Sequence, residues 1–229
     1  MNNTPYKLAA SLICSNMLDV AADIRSLEEG GIDYIHVDVM DGSFVPRLGV
    51  HPEMVRAVRT ITNIPIDVHM MIDNPDLFVP DFIKAGGNII IVHAESTKHL
   101  HRTIKMIRDM GARAGVALNP GTTLHVLDYV LDDIDLVMLM AINPGIVGHK
   151  LIPRTLDKIS ELKEKVASRS DMIIAIDGGV NPESAPQMIK RGANFLVCGS
   201  SMIFKPDSAV GENIKEVRSN IDRALQEMN

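Results

Sequence analysis

The sequence predicts an α/β chain folded as one TIM (β/α)8 barrel, a single domain over residues 1–229. Three observations carry this expectation. Short β-branched or apolar runs recur eight times along the chain. Amphipathic segments with charged faces lie between them. Glycine repeatedly closes such a segment just before the next run. Eight strands alternating with helices imply a parallel sheet, and 229 residues suit a compact barrel of eight units. The competing doubly wound sheet usually carries a Gly-rich turn after its first strand. Here that strand runs into Ser11-Leu12-Ile13-Cys14, so the barrel is preferred.

Taken in order, the first strand is expected over 7–13, followed by a helix over 20–29 that Gly30-Gly31 closes. The second strand occupies 34–40, and a helix over 52–59 leads to the third at 64–71. Gly86-Gly87 introduces the fourth strand at 88–94. A helix over 98–110, ended by Gly111, precedes the fifth at 113–119. The sixth is expected at 136–142, a helix at 153–166 and the seventh strand at 172–178. A helix over 185–190 and Gly192 lead to the last strand at 195–200.

Composition narrows the class of partner. Hydrophobic residues make up 46% and charged residues 23%, an ordinary globular balance. The formal net charge of −6 disfavours a nucleic-acid or polybasic membrane surface. An anionic substrate would then need local positive potential from a metal, backbone amides or helix N-termini. Cys14 and Cys198 form no CxxC pair and no disulfide framework. The opening Met1-Asn2-Asn3-Thr4-Pro5 has no secretory apolar region, and no apolar run is long enough to span a membrane. The expected setting is cytoplasmic.

The most informative stretch is Tyr34-Ile35-His36-Val37-Asp38-Val39-Met40-Asp41-Gly42. Side chains alternate sides along a strand, so His36, Asp38 and Met40 share one face. In Asp67-Val68-His69-Met70-Met71, His69 and Met71 share a face in the same way. Functional residues of a TIM barrel sit at the C-terminal strand ends, and Asp177 closes the apolar run Ile173-Ile174-Ala175-Ile176 at such an end. A lone strand-end Asp commonly caps a turn or helix, and a lone inward His is commonly a hydrogen-bonded core residue. Four potential ligands at one barrel mouth point instead to a metal site formed by His36, Asp38, His69 and Asp177. Zn²⁺ suits this set of two nitrogens and two oxygens, and Mn²⁺, Fe²⁺ or Co²⁺ are alternatives.

Other residues gather at the same end. Ser11 ends the first strand. Most of the 14 methionines have helical spacing, whereas Met40, Met71 and Met140 lie near strand ends. There they either fill the barrel or form a polarizable, water-poor wall around a reacting carbon. Glycine-bearing turns at 143–148, 177–180 and 198–201 supply Gly145, Gly148, Gly178, Gly179, Gly199 and Ser200. Loops after the last strands commonly bind phosphate through backbone amides. Lys and Arg are scarce in these turns, so the grip is expected to be mostly backbone. His93, in His93-Ala94-Glu95, is a candidate supporting residue behind the ligands. His149 adjoins the first turn, His51, His99, His101 and His125 are expected to be solvated, and neither cysteine has a partner that would make it a nucleophile.

Together, the motifs from His36 to Gly42, Phe44-Val45-Pro46, Asp67 to Met71, His93-Ala94-Glu95, Asn119-Pro120-Gly121-Thr122, Asn143-Pro144-Gly145 and Asp177-Gly178-Gly179-Val180-Asn181-Pro182 resemble the ribulose-phosphate 3-epimerase family. The likeness runs in order from about Leu8 to Phe204. It implies an epimerase that interconverts ribulose 5-phosphate and xylulose 5-phosphate. It also implies metal ligation by His36, Asp38, His69 and Asp177, an acid/base pair in Asp38 and Asp177, and substrate contacts from Ser11 and the three strand-end methionines. Phosphate would bind around Gly145, Gly148, Gly178, Gly179, Gly199 and Ser200, and the protein would be a homo-oligomer.

The chain departs from the family pattern at several positions. Its phosphate turn reads Pro144-Gly145-Ile146-Val147-Gly148-His149 where Pro-Gly-Phe-Gly-Gly-Gln is usual, and Val147 disfavours a positive φ. Ser43 and Arg47 replace the usual His and Asn. The first strand reads Ala10-Ser11-Leu12-Ile13-Cys14-Ser15-Asn16 where Pro-Ser-Ile-Leu-Ser-Ala-Asp is typical. No metal ligand or acid/base carboxylate is lost. The departures leave another ketose phosphate, such as allulose 6-phosphate, as an alternative substrate. Decarboxylases on a similar barrel use an Asp-x-Lys-x-x-Asp strand, and the second strand here has no such lysine. A non-catalytic sugar-phosphate binder would have no need of two acid/base carboxylates.

Overall fold

A computed structural model describes residues 4–146, 148–206 and 208–228. The eight strands are β1 (Lys7–Ser11), β2 (Tyr34–Met40), β3 (Ile66–Met71), β4 (Ile89–His93), β5 (Arg113–Leu118), β6 (Leu136–Met140), β7 (Ile173–Asp177) and β8 (Phe195–Cys198). They pair in parallel, in chain order, and β8 closes on β1. The expected TIM barrel is thus present. Its strands stop earlier than the apolar runs suggest. The run at 7–13 leaves the sheet after Ser11 into a 3-10 turn at Leu12–Cys14, and the run at 136–142 ends at Met140. At the barrel mouth the ladder has no further partners, so the backbone turns away while its side chains stay apolar.

The helices are α1 (Val20–Gly30), α2 (Pro52–Arg59), α3 (Val79–Ala85), α4 (Leu100–Asp109), α5 (Arg154–Lys165), α6 (Ser184–Lys190) and α7 (Val210–Glu227). Asp19 caps α1 by accepting the Ala22 N–H at 3.2 Å, and Pro52 opens α2 where its missing N–H costs nothing. Between β5 and β6 two short 3-10 turns, Leu124–Leu127 and Leu131–Asp133, stand where the repeat would place a helix. The stretch opens with Asn119-Pro120-Gly121 and two β-branched threonines, a poor start for a full helix. Among the described residues, no helix is long and apolar enough to cross a membrane.

Side-chain alternation divides the core. One set of strand residues, including Leu8, Ala10, Ile35, Val37, Ile66 and Val68, packs outward against the helices. The other set fills the barrel interior with Ala9, Ile89, Ile91, Ala117, Leu136, Met138, Ala175, Phe195 and Val197. Tyr34 and Phe195, at the starts of β2 and β8, meet with ring centroids 4.9 Å apart and plug the N-terminal end. Toward the C-terminal end the same inward rows turn polar, which confines the chemistry to one mouth.

The first and last units are latched together. Arg218 on α7 donates to the Gly31 carbonyl at 3.1 Å and to Asp33 at 2.5 Å. Asp33 also accepts the Leu8 N–H at 2.9 Å and the Lys7 ammonium at 3.1 Å. This partly buried, multiply hydrogen-bonded carboxylate ties α7 to the β1–β2 edge. The apolar plug makes a separable contribution. Phe195→Ala should lower unfolding stability by about 3–5 kcal/mol, read by urea titration.

Candidate active site and metal centre

Register across the ladders assembles the site. Asp38 on β2 lies opposite His69 on β3, Met40 opposite Met71, and His36 opposite Asp67. On the far side, Met140 on β6 lies opposite Asp177 on β7. One nitrogen or oxygen each from His36, Asp38, His69 and Asp177 falls within 4.8 Å of all the others. His36 and His69 are wholly buried, Asp38 is buried and Asp177 is partly open.

This donor set fits a divalent cation. His69 Nδ1 stands 3.3 Å from Asp177 Oδ2 and 3.7 Å from Asp38 Oδ1, is buried, and has no hydrogen-bond partner. A buried imidazole nitrogen left unsatisfied is costly. Here it faces two carboxylates beside a second imidazole, the mixed nitrogen and oxygen environment that Zn²⁺, Mn²⁺, Fe²⁺ or Co²⁺ accepts. The enclosed carboxylates would otherwise repel one another at low dielectric.

Supporting contacts orient each group. Ser11 Oγ donates to Asp38 Oδ2 at 2.8 Å. His36 Nδ1 meets Asp67 Oδ2 at 2.5 Å, which leaves Nε2 directed at Asp38 Oδ1, 3.2 Å away. Burial alone would push His36 toward neutrality, but Asp67 and Asp38 outweigh it and raise its pKa well above the ordinary value. Burial likewise opposes ionisation of Asp38, and the two neighbouring histidines overcome it, holding the carboxyl far below the usual range. Behind His69, burial drives His93 down to about 4. Burial opposes the charge on Glu95 as well, but hydrogen bonds from His93, Thr122 and Asn119 take it down to about 2.

Asp67 is the functional neighbour that sequence reading missed. Its signal was available, because it shares the inward parity of His69, but its role depends on the β2–β3 register that sets it beside His36. His93, expected behind the ligands, does contact His69, with Nε2 to Nε2 at 2.9 Å.

Above the cluster opens a cavity of about 600 Å³. Ser11, Asp38, Met40, Met71, Met140 and Asp177 line it, and Gly145, Gly148, Gly178, Gly179, Gly199 and Ser200 from the expected turns also contribute. His36 and His69 lie buried outside that lining. Gly145 and Gly178 have φ of +76° and +86°, which favour glycine. A Cβ on Gly145 would stand 2.5 Å from Val45 Cβ, and one on Gly178 would collide with Ile142. Val147, expected to disfavour a positive φ in this turn, lies outside the described residues.

Further polar side chains join the backbone turns at this mouth. Arg47, Lys150 and His149 also line the cavity, and Arg47 and Lys150 add charge to a grip read as mostly backbone. Arg47, one of the departures from the family pattern, arrives from the loop after β2. Ser43 is instead engaged by Asp73, at 2.5 Å. Cys14 lines the cavity, but burial raises its thiol pKa, and burial drives Cys198 up to about 12. Neither is poised as a nucleophile. His51, His99, His101 and His125 all lie on the exposed or partly exposed outer elements.

Comparisons with known proteins give the family. A family profile described as the ribulose-phosphate 3 epimerase family matches residues 7–204. The chain is 46% identical to ribulose-phosphate 3-epimerase of Bacillus subtilis over 216 residues, covering 93% of this chain and 99% of that protein. Identity to the chloroplastic ribulose-5-phosphate-3-epimerase of Arabidopsis thaliana is 45%, over 93% of this chain and 76% of that one. Among solved structures, KGPDC from Streptococcus mutans in complex with D-R5P superposes with a TM-score of 0.75 at 16% identity, covering 96% of this chain and 99% of that one. A likeness at that identity concerns the barrel alone.

The depressed His93 value has a measurable consequence. Between about 4 and the ordinary 6.5 the unfolded chain binds more protons than the folded one, so stability is full above 6.5 and declines as pH falls through that window. In chelator-treated protein, urea titrations should show this decline, and His93→Gln should flatten it.

Proposed function

The chain belongs to the ribulose-phosphate 3-epimerase family, and from that premise we propose that it inverts C3 of D-ribulose 5-phosphate to give D-xylulose 5-phosphate through an enediolate. The observation that carries the proposal is a pair of carboxylates, Asp38 and Asp177, brought from β2 and β7 to one cavity floor. Inversion beside a ketone requires removing a proton from one face and returning a proton to the other. Two bases on different walls do this more readily than one.

In one direction Asp38 takes the C3 proton, the electron pair moves into the C2–C3 bond, and the C2 carbonyl becomes an oxyanion. Asp177, carrying a proton, delivers it to C3 from the opposite side. The reverse reaction exchanges the roles. Ser11, donating to Asp38 Oδ2, aims the carboxylate and stabilises its ionised form. Met40, Met71 and Met140 wall the reacting carbon from water. The turns at Gly145, Gly148, Gly178, Gly179, Gly199 and Ser200 would receive the phosphate through backbone amides, with Arg47 and Lys150 adding charge. His36, Asp38, His69 and Asp177 would hold a divalent ion, most suitably Zn²⁺. When bound, that ion supplies positive charge against the oxygen anions that develop on the substrate.

Arg47 favours a second reading, in which the substrate is another ketose phosphate such as D-allulose 6-phosphate. Arg47 lines the cavity, and a guanidinium can engage a group that the family's usual Asn would meet differently.

Incubation of the zinc-loaded protein in D₂O with each sugar phosphate, followed by NMR, tests both readings. Deuterium at C3 with a new epimer from ribulose 5-phosphate is the expected result. Turnover of the hexulose alone would reassign the substrate, and no exchange with either would sink the proposal. Asp38→Asn and Asp177→Asn should each lower kcat by about 10²–10⁴-fold. Chelation should abolish turnover and added Zn²⁺ should restore it. Gly148→Ala should raise KM more than it lowers kcat, because it disturbs the phosphate turn at a position where a Cβ meets nothing within 4 Å and lies apart in sequence from both carboxylates.

A further inference from the structure

We propose that Glu95 and His93 are positioning residues that hold His69 in the tautomer leaving Nδ1 bare toward the ligand cluster. The proposal rests on the metal reading above and adds residues that lie outside the cluster.

Glu95 is anchored first. It accepts the Asn119 N–H at 2.8 Å and the Thr122 hydroxyl. Asn119 is itself held by Lys158 on α5, whose ammonium donates to the Asn119 carbonyl at 2.9 Å. A carboxylate gripped by two donors acts purely as an acceptor. Its other oxygen lies 3.2 Å from His93 Nδ1, which must therefore carry the proton. A neutral imidazole has only one N–H, so His93 Nε2 is a lone pair. That lone pair faces His69 Nε2 at 2.9 Å, and the two nitrogens share one proton, which His69 must supply. In the neutral form that ligation requires, His69 then has no proton left for Nδ1. This is the buried nitrogen without a hydrogen-bond partner that faces Asp38 and Asp177.

The two histidines of the cluster are thus set by two different devices. Asp67 acts directly on His36 Nδ1 and leaves Nε2 inward. Glu95 acts on His69 through an interposed imidazole and leaves Nδ1 inward. The His69 and His93 rings stack with centroids 5.0 Å apart and 22° between planes, and Phe44 covers His93 at 4.8 Å. The His69–His93 step is therefore enclosed, while Glu95 reaches the surface, and an enclosed hydrogen bond to a ligand imidazole fixes its orientation and strengthens its basicity.

The test compares the full-length wild type with Glu95→Ala, Thr122→Val, His93→Leu and His93→Gln. Zn²⁺ affinity is measured by competition with a chromophoric chelator, and the ligand field by the visible spectrum of the Co²⁺-loaded protein. Glu95→Ala and His93→Leu should weaken metal binding by about 10- to 100-fold and shift the Co²⁺ bands. His93→Gln places an amide oxygen near the former Nε2 and should restore most of the affinity. Thr122→Val, the mildest change, should weaken binding less than Glu95→Ala. Equal losses in His93→Leu and His93→Gln would reduce His93 to packing and overturn the proposal. If the buried His93 variants misfold, Glu95→Ala and Thr122→Val decide, and wild-type affinity and spectrum in both overturn it. A wild type that binds neither ion overturns the metal reading and the relay with it. A wild type that binds metal alongside unchanged variants overturns the relay alone.

Discussion

The β2–β3 ladder, with Asp38 opposite His69 and His36 opposite Asp67, is the constraint on which the site depends. Parallel pairing in a closed barrel leaves little freedom to slip, because a shift of one residue would turn every inward side chain outward. The same register therefore brings an imidazole beside each carboxylate and a methionine beside a methionine. Closure then carries β7 round to the same mouth, where Asp177 completes the cluster.

Such a cluster is costly to enclose. Carboxylates and imidazoles are withdrawn from water, and their mutual contacts return only part of the lost solvation. The protein concentrates this cost in one layer. Below it, Tyr34, Phe195 and their apolar neighbours pack the interior, and outside it the second apolar set joins strands to helices. The latch of Arg218, Asp33 and Lys7 sits on the opposite side of the strands from the polar mouth. Stability and chemistry occupy different ends of the same fold.

The barrel itself does not choose the reaction. KGPDC from Streptococcus mutans has a similar backbone course at 16% identity, and the Asp-x-Lys-x-x-Asp decarboxylase strand weighed against the sequence has no counterpart in this chain. The second strand here presents His36, Asp38 and Met40 instead. An inward imidazole followed by an inward carboxylate suits ion binding and proton transfer, and neither residue leaves an ammonium at the reacting centre. A few inward positions on one strand thus distinguish chemistries that share an architecture.

Sequence by itself determined the number and order of strands, their inward parity, and the identity of the four potential ligands, because alternation is a property of the strand alone. It also located the glycine turns, since a positive φ leaves its mark in residue type at positions such as Gly145 and Gly178. Strand ends were less legible, because apolar residues continue past the point where ladder partners stop, as at Leu12 and Ile142. The absence of a regular helix between β5 and β6 was not foreseen from the repeat. The partner of His36 and the route from Glu95 to His69 were decided only by tertiary structure. Each depends on register or loop course between segments distant in the chain, and that information resides in how strands align and close rather than in any one of them.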